Sequence, residues 1–206
     1  MKTATRLIMC ALALGLIVGC RTRPVKTIEN LKTAYNGELT ASAKYASFAE
    51  KAKSEGYDTI AIMFMATSKS EAIHAANHLK VLEKLGEKTE VSIIGKFDIL
   101  STKVNLVDAI KGETYEIDKM YPGFISTAGI EKCTDGVKSF TWAFLTEKKH
   151  KEFYETALLA INGGGEGSLP ATWFVCPVCG NTYNNTSVTA ACELCLTTPS
   201  RFIVFE

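Results

Sequence analysis

Glu71-Ala72-Ile73-His74 and Glu147-Lys148-Lys149-His150 are the two stretches on which the reading of this chain turns. Residues three apart on an α-helix share a face, with Cβ atoms about 5–6 Å apart. A Glu and a His so placed can both reach into one metal site. With 17 Glu and three His in 206 positions, chance supplies about a quarter of one Glu-x-x-His pair, and the chain has two. The competing reading is a solvated helix face of alternating Glu and Lys. Neighbouring residues oppose it: Met63, Phe64, Ala66 and Thr67 precede Glu71, and Phe140, Trp142 and Phe144 precede Glu147. Charge placed among side chains that belong inside is costly unless something compensates it.

Working outward, each pair falls on a long helix. Residues 28–54 carry Ile28, Leu31, Ala34, Tyr35, Leu39, Tyr45, Ala46 and Ala49 at helical spacing, with Glu38 in the middle. Gly56 marks a stop and Asp58 suits an N-cap. A second helix over 59–85 carries Glu71 and His74 and closes at Gly86. Residues 87–102, with β-branched residues and Gly95, read as a crossover connection. A third helix starts near Lys103, carries Glu113-Thr114-Tyr115-Glu116, and passes Pro122, where the lost backbone donor predicts a kink. Thr134-Asp135-Gly136 separates it from a fourth helix over 137–161 with Glu147 and His150.

Four helices with one long connection predict an all-α up-down bundle, and two Glu-x-x-His pairs plus a Glu from each remaining helix form the ligand set of a carboxylate-bridged pair of irons. Carboxylates bridge two cations and offset their charge, and neutral imidazole suits iron as a terminal ligand. His78, one turn beyond His74, forms a His-x-x-x-His pair that can hold zinc. No acidic partner follows at a zinc-protease spacing, so a place beside the ligands or at the surface is preferred.

The chain has seven cysteines, four of them in the last 31 residues. Cys176-Pro177-Val178-Cys179-Gly180 and Cys192-Glu193-Leu194-Cys195 stand twelve residues apart. Four thiolates in two such pairs bind one tetrahedral iron or zinc, and spacing alone does not choose between the metals. Disulfide pairing is the weaker alternative. Trp173, Phe174, Tyr183, Phe202 and Phe205 are expected to shield the site from water, which helps set a reduction potential. Gly163-Gly164-Gly165-Glu166-Gly167-Ser168 reads as a flexible linker. The predicted organisation is a bundle over 28–162, a linker over 163–170 and a cysteine module over 171–206. Cys133 stands alone near a helix end and reads as an ordinary residue.

The N-terminus reads as an export signal. Lys2 and Arg6 precede an apolar run of 12 residues, Leu7 to Val18, followed by Gly19-Cys20. That run is short of the roughly 20 residues a bilayer span needs. Ile17-Val18-Gly19-Cys20 looks like a bacterial lipobox, which predicts removal of 1–19, acylation of Cys20 and a tether over 20–27. An uncleaved anchor or an ordinary signal with a chance cysteine is the alternative. The expected location is an exported, membrane-anchored lipoprotein in a periplasm. Removing Lys2 and Arg6 from 23 basic residues leaves 21 against 22 acidic ones, so no excess of positive charge exists to hold a nucleic-acid backbone.

The combined pattern resembles rubrerythrin, a ferritin-like di-iron bundle followed by a rubredoxin-like domain, over about residues 28–206. The resemblance is carried by Gly37-Glu38, Glu71-Ala-Ile-His74, Gly112-Glu113-Thr-Tyr-Glu116, Met120-Tyr121-Pro122, Glu147-Lys-Lys-His150, Phe174-Val-Cys-Pro-Val-Cys-Gly-Asn181 and Phe202-Ile203. It implies that Glu38 and His74 serve one iron, Glu113 and His150 the other, and that Glu71 and Glu147 bridge. It implies that Glu116 binds the first iron when oxidised and yields to His74 when reduced. Tyr45 and Tyr121 match tyrosines that hydrogen-bond the ligand glutamates. Cys176, Cys179, Cys192 and Cys195 would hold a rubredoxin-type iron.

The activity so implied is reduction of hydrogen peroxide to water in oxidative-stress defence. Electrons would come from an unknown donor through the cysteine-bound iron, and a homodimer is the expected assembly. Two other readings stay open: a ferroxidase or oxygen-reducing protein, and a non-enzymatic metal-binding lipoprotein with structural zinc. One departure stands out. Such cysteine loops usually end in Gly, yet Leu196 follows the second pair and Glu193 stands where Pro is common. Positive φ at a non-Gly residue is costly, which predicts a reshaped second loop.

Overall fold

A computed structural model describes residues 23–88 and 93–206. The predicted signal 1–19 and Cys20 lie outside the described residues, among which no helix is long and apolar enough to cross a membrane. Helices α1 (Val25–Ser54) and α2 (Asp58–Lys84) form one antiparallel pair. After the crossover come α3 (Thr102–Tyr115), a π turn (Glu116–Met120) and α4 (Tyr121–Ile130), which run on as one bent rod packed against α5 (Thr134–Asn162). Helix α1 starts three residues before Ile28, and Asp58 is the first residue of α2 rather than its cap.

Two local expectations change. The disturbance assigned to Pro122 falls one turn earlier, in the π turn, where the Tyr121 N–H bonds to Glu116 O, five residues back. A widened turn just ahead of the proline accommodates its missing N–H donor and its ring, neither of which a regular α-helix can take. The break before α5 lies at 131–133, with Lys132 at φ +56°, and not at 134–136. Gly136 lies inside α5, and it is glycine because a Cβ there would meet Thr27 Cγ2 at 2.9 Å. It permits close approach of α1, a role that a glycine next to Asp does not disclose in sequence.

Three helices receive their N-terminal caps from glutamates distant in sequence. Glu131 accepts from the Lys26 N–H at 3.1 Å, the Thr27 N–H at 2.7 Å and the Thr27 hydroxyl at 2.7 Å. Glu166 accepts from Thr59 N–H and Ile60 N–H at 3.1 and 3.0 Å, and Glu55 from Thr102 N–H at 2.8 Å. Each carboxylate satisfies orphan donors and faces the positive end of a helix dipole. The Gly-rich linker is therefore pinned to the start of α2 through Glu166.

The bundle interior has two apolar clusters. One is built on Tyr45, Phe48, Phe64 and Tyr154, and the other on Leu31, Tyr121, Ala128 and Phe140. A small antiparallel sheet follows, β1 (Trp173–Val175) between β2 (Thr182–Asn184) and β3 (Ile203–Phe205). Alternation along β1 sends Trp173 and Val175 into the first bundle cluster. Phe174 joins the cysteine cluster with Tyr183 and Phe202, whose rings stack at 5.3 Å. Trp173 and Phe205 thus seal the seam with the bundle instead of shielding the cysteines.

Glu131→Ala deletes the cap of α1 and is expected to cost about 1 kcal/mol, read as a lower urea midpoint at unchanged slope.

Candidate metal centre

Four helices bring the predicted ligands together in two groups. Glu38, Glu71, His74 and Glu147 form one; Glu71, Glu113, Glu147 and His150 form the other. Within each group the candidate ligand atoms lie within 4.8 Å of one another, and all six residues are buried. Glu71 and Glu147 belong to both groups, as bridging ligands must. His74 presents Nδ1 to Glu147 Oε1 at 2.9 Å and to Glu71 Oε2 at 3.0 Å. His150 presents Nδ1 to Glu147 Oε2 at 2.7 Å and Glu71 Oε1 at 3.1 Å. Glu116, the first residue of the π turn, lies outside both groups.

The neighbours predicted for the ligands are present. The Tyr45 hydroxyl donates to Glu113 Oε1 at 2.5 Å, and the Tyr121 hydroxyl donates to Glu38 Oε1. His78 is buried and is not a ligand: Nδ1 pairs with the Ser139 hydroxyl at 2.8 Å and Nε2 lies 3.3 Å from Tyr121 Oη. Ser139, His78, Tyr121 and Glu38 thus form a hydrogen-bonded chain. The sequence reading missed Tyr154, which donates to Thr67 Oγ1 at 2.8 Å. Its signal was available, because Tyr154 lies one turn beyond His150 and Thr67 one turn before Glu71 on the ligand faces.

Electrostatics shows what the centre needs. Burial, with the charges of Glu147 and Glu71, pushes the Glu113 carboxyl well above the usual range. Burial does the same to Glu116, helped by Glu38 and Glu113. Burial also works to discharge the two imidazoles, but at His74 the Glu147 charge and hydrogen bonds to Glu147, Glu38 and Glu71 together outweigh it, and the Glu71 and Glu147 charges and hydrogen bonds lift His150 to about 10. Buried Glu38 Oε2, Glu71 Oε1, both Glu147 oxygens and His150 Nδ1 crowd their neighbours at ion-pair distance, yet none makes a hydrogen bond of proper geometry. Such atoms call for an explanation, and a pair of cations provides one. The donor set of carboxylates and imidazoles suits iron.

The cysteine site is equally well formed. Cys176 Sγ lies 3.4 Å from Cys195 Sγ, Cys179 Sγ lies 3.4 Å from Cys192 Sγ, and all four are free thiols. Its two loops are related by a local pseudo-symmetry. Gly180 N–H donates to Cys176 O at 3.0 Å and Leu196 N–H to Cys192 O at 2.8 Å, while Cys176 N–H and Cys192 N–H donate to Asn181 O and Thr197 O at 2.9 and 2.8 Å. The second loop is therefore not reshaped. Leu196 takes the left-handed conformation at φ +63° with its side chain 78% exposed, so the strain stays local.

Gly180, its counterpart, is at φ +85° and also faces the bundle: a Cβ there would lie 2.5 Å from His74 Nε2. The module sits on the carboxylate centre through Ser70 Oγ to Gly180 O at 2.7 Å, Asn77 Nδ2 to Val178 O at 2.9 Å, and His150 Nε2 to Thr182 Oγ1 at 3.0 Å. Lys149 pairs with Glu193 at the rim. Sequence gave no sign of Ser70, Asn77 or Thr182, whose roles exist only once two distant segments dock.

An all-α bundle caging two overlapping carboxylate–imidazole groups, joined to a rubredoxin-like tetracysteine module, defines the ferritin-like di-iron carboxylate proteins. Residues 29–158 match the family model described as Rubrerythrin; the chain belongs to the rubrerythrin family, oxidoreductases with a di-iron site and a rubredoxin-like iron site. It is 31% identical to nigerythrin of Nitratidesulfovibrio vulgaris over 191 residues, covering 93% of this chain and 92% of that one. It is also 31% identical to Rubrerythrin-2 of Clostridium acetobutylicum over 182 residues, 87% and 96% of the two chains. The structure of nigerythrin in its fully reduced, all-ferrous state superposes with a TM-score of 0.79 at 32% identity, over 87% of this chain and 86% of that one. Bacterioferritin of Desulfovibrio desulfuricans, at 22% identity and a TM-score of 0.65 over 70% of this chain and 84% of that one, shares the fold.

Divalent metal loaded at pH 7 is expected to expel protons from His74 and His150, with affinity rising until pH reaches about 10 for His150. Calorimetry in two buffers of different ionisation enthalpy counts those protons. In the metal-free fold the raised His150 adds stability that is complete below its unfolded value of 6.5 and is lost as pH rises through about 10. Gly180→Ala is expected to unseat the module, raising hydrogen exchange over 173–184 while the helical circular dichroism of the bundle stays intact.

Proposed function

We propose that this protein is a non-haem di-iron peroxidase that reduces hydrogen peroxide to two waters, taking electrons through the tetracysteine iron. The observation that carries the reading is Glu116. It is a fifth carboxyl, placed on a π turn outside both ligand groups, and burial among Glu38, Glu113, Glu147 and Glu71 favours its protonated form. Cleavage of the O–O bond consumes two electrons and two protons. A di-iron(II) pair, when bound, supplies the two electrons together, one per metal, which avoids hydroxyl radical.

The protein side of the reaction then has defined parts. Glu38 with His74 and Glu113 with His150 hold the two metals, and Glu71 and Glu147 bridge them. Tyr45 and Tyr121 fix the orientation of Glu113 and Glu38 by donating to one oxygen of each. Glu116 delivers one of the two protons to the departing oxygen, solvent water supplies the other, and His78 backs Tyr121 from the far side. The seat of Gly180 on His74 and of Thr182 on His150 supports electron return, since the cysteine loop adjoins both imidazoles. In a head-to-tail homodimer the same contacts would serve between two copies.

Export and acylation at Cys20 form part of this proposal, on the strength of the basic, apolar and Gly-Cys segments at the N-terminus. NADH is absent from a periplasm, so the donor would be membrane-linked or another exported protein. Fractionation that finds unprocessed chain in the cytosol overturns that part.

Anaerobic reduction of residues 21–206 followed by stopped-flow mixing tests the chemistry. Peroxide is expected to oxidise the centre much faster than dioxygen, and Glu116→Gln to slow peroxide at unchanged iron content. Dioxygen reacting much faster overturns the peroxidase reading in favour of oxygen reduction or iron oxidation. Colourless zinc in the cysteine site in place of a red iron–thiolate chromophore overturns the electron relay.

A further inference from the structure

Two glycines of the family-like motifs have no part in the chemistry above. Gly37 immediately precedes Glu38 in α1, and Gly112 immediately precedes Glu113 in α3. Both lie inside helices, where glycine is the least favourable residue after proline. Neither has a positive φ. Packing does not require them either. A Cβ on Gly37 would meet nothing within 4 Å, and one on Gly112 would lie 3.7 Å from Lys44 Nζ and 3.8 Å from Tyr45 Oη, ordinary contact distances. Gly136 and Gly180, by contrast, are forced by contacts of 2.9 and 2.5 Å.

What the pair shares is a cavity of about 420 Å³ between α1 and α3, which both glycines line. Its wall runs from exposed Ile93 to buried Tyr45 and to Glu116. Gly95 N–H donates to Thr40 Oγ1 at 2.9 Å, holding the crossover against α1 at one side. Lys44 stands on the other side, its ammonium 3.0 Å from Asp108 and 5.2 Å above the Tyr45 ring. The cavity thus reaches the one acidic side chain of the centre that lies outside both ligand groups, and it does so past two residues without side chains.

We infer that Gly37 and Gly112 form an aperture that admits a small, uncharged oxidant to Glu116 and excludes bulky ones. Their function is the space that a side chain would fill, at the expense of helix stability. The identity of the oxidant as hydrogen peroxide rests on the function proposed above.

The test uses the metal-loaded chain and its metal-free form, with Gly37→Ala, Gly112→Ala, the double variant and Gly37→Leu. Each alanine is expected to raise the melting temperature of the metal-free protein by about 2–4 °C. The double variant and Gly37→Leu are expected to slow oxidation of the reduced centre by peroxide about tenfold or more, equivalent to ~1.4 kcal/mol of barrier. Iron content should stay unchanged, and tert-butyl hydroperoxide should be slowed more than hydrogen peroxide. Dioxygen is run in parallel. Peroxide that reacts fast and equally in all variants overturns the aperture and leaves the peroxidase reading intact. Peroxide inert with every chain, but dioxygen slowed by the substitutions, overturns the peroxidase reading and leaves the aperture standing. A melting temperature lowered by the alanines overturns the inference, because the glycines are then packing residues.

Discussion

Buried like charge is the constraint on which this structure depends. Five carboxyls face one another between four helices, and four of them, Glu38, Glu71, Glu113 and Glu147, are buried away from the solvent that would screen them. Without compensation such a group is among the most expensive arrangements a fold can hold. Compensation comes from two imidazoles that project Nδ1 inward and, in the loaded protein, from two cations. The tyrosines at 45 and 121 belong to the same solution. Each links one apolar cluster to one carboxylate, so the packing of the bundle and the orientation of the ligands are a single problem.

The cysteine module is joined to that centre by a requirement for closeness rather than by the linker. Two nearly equivalent loops hold the four sulfurs, yet one ends in Gly180 and the other in Leu196. Backbone conformation is left-handed in both. The first loop sets Gly180 against the bundle, where no Cβ can fit beside His74; the second touches α5 through Glu193 and Leu194 but turns Leu196 to solvent, where a leucine has room. The asymmetry between the loops records which of them faces the carboxylate centre.

Much of this was legible in the residues. Helical spacing placed Glu38, Glu71, His74, Glu113, Glu147 and His150 on four helices, and the two Cys-x-x-Cys pairs declared the second site. Periodicity and ligand spacing are local properties, and local properties survive in a linear string. Other features depended on contacts between distant segments. The break before α5 lay at 131–133, and the glycine at 136 that looked like a breaker is there for close approach to Thr27. The linker that composition marks as flexible is held by Glu166 at the start of α2. Trp173 and Phe205 belong to the bundle seam, and only strand pairing shows which way they point.

By itself, then, the sequence determined the ligand types, their helical register and the division into a bundle and a cysteine module, because each follows from spacing along one segment. Tertiary structure alone decided that Glu116 lies outside both ligand groups, that Glu166 caps α2, and that Gly180 meets His74. Those are distances between groups carried by different elements, and no pattern within one element contains them.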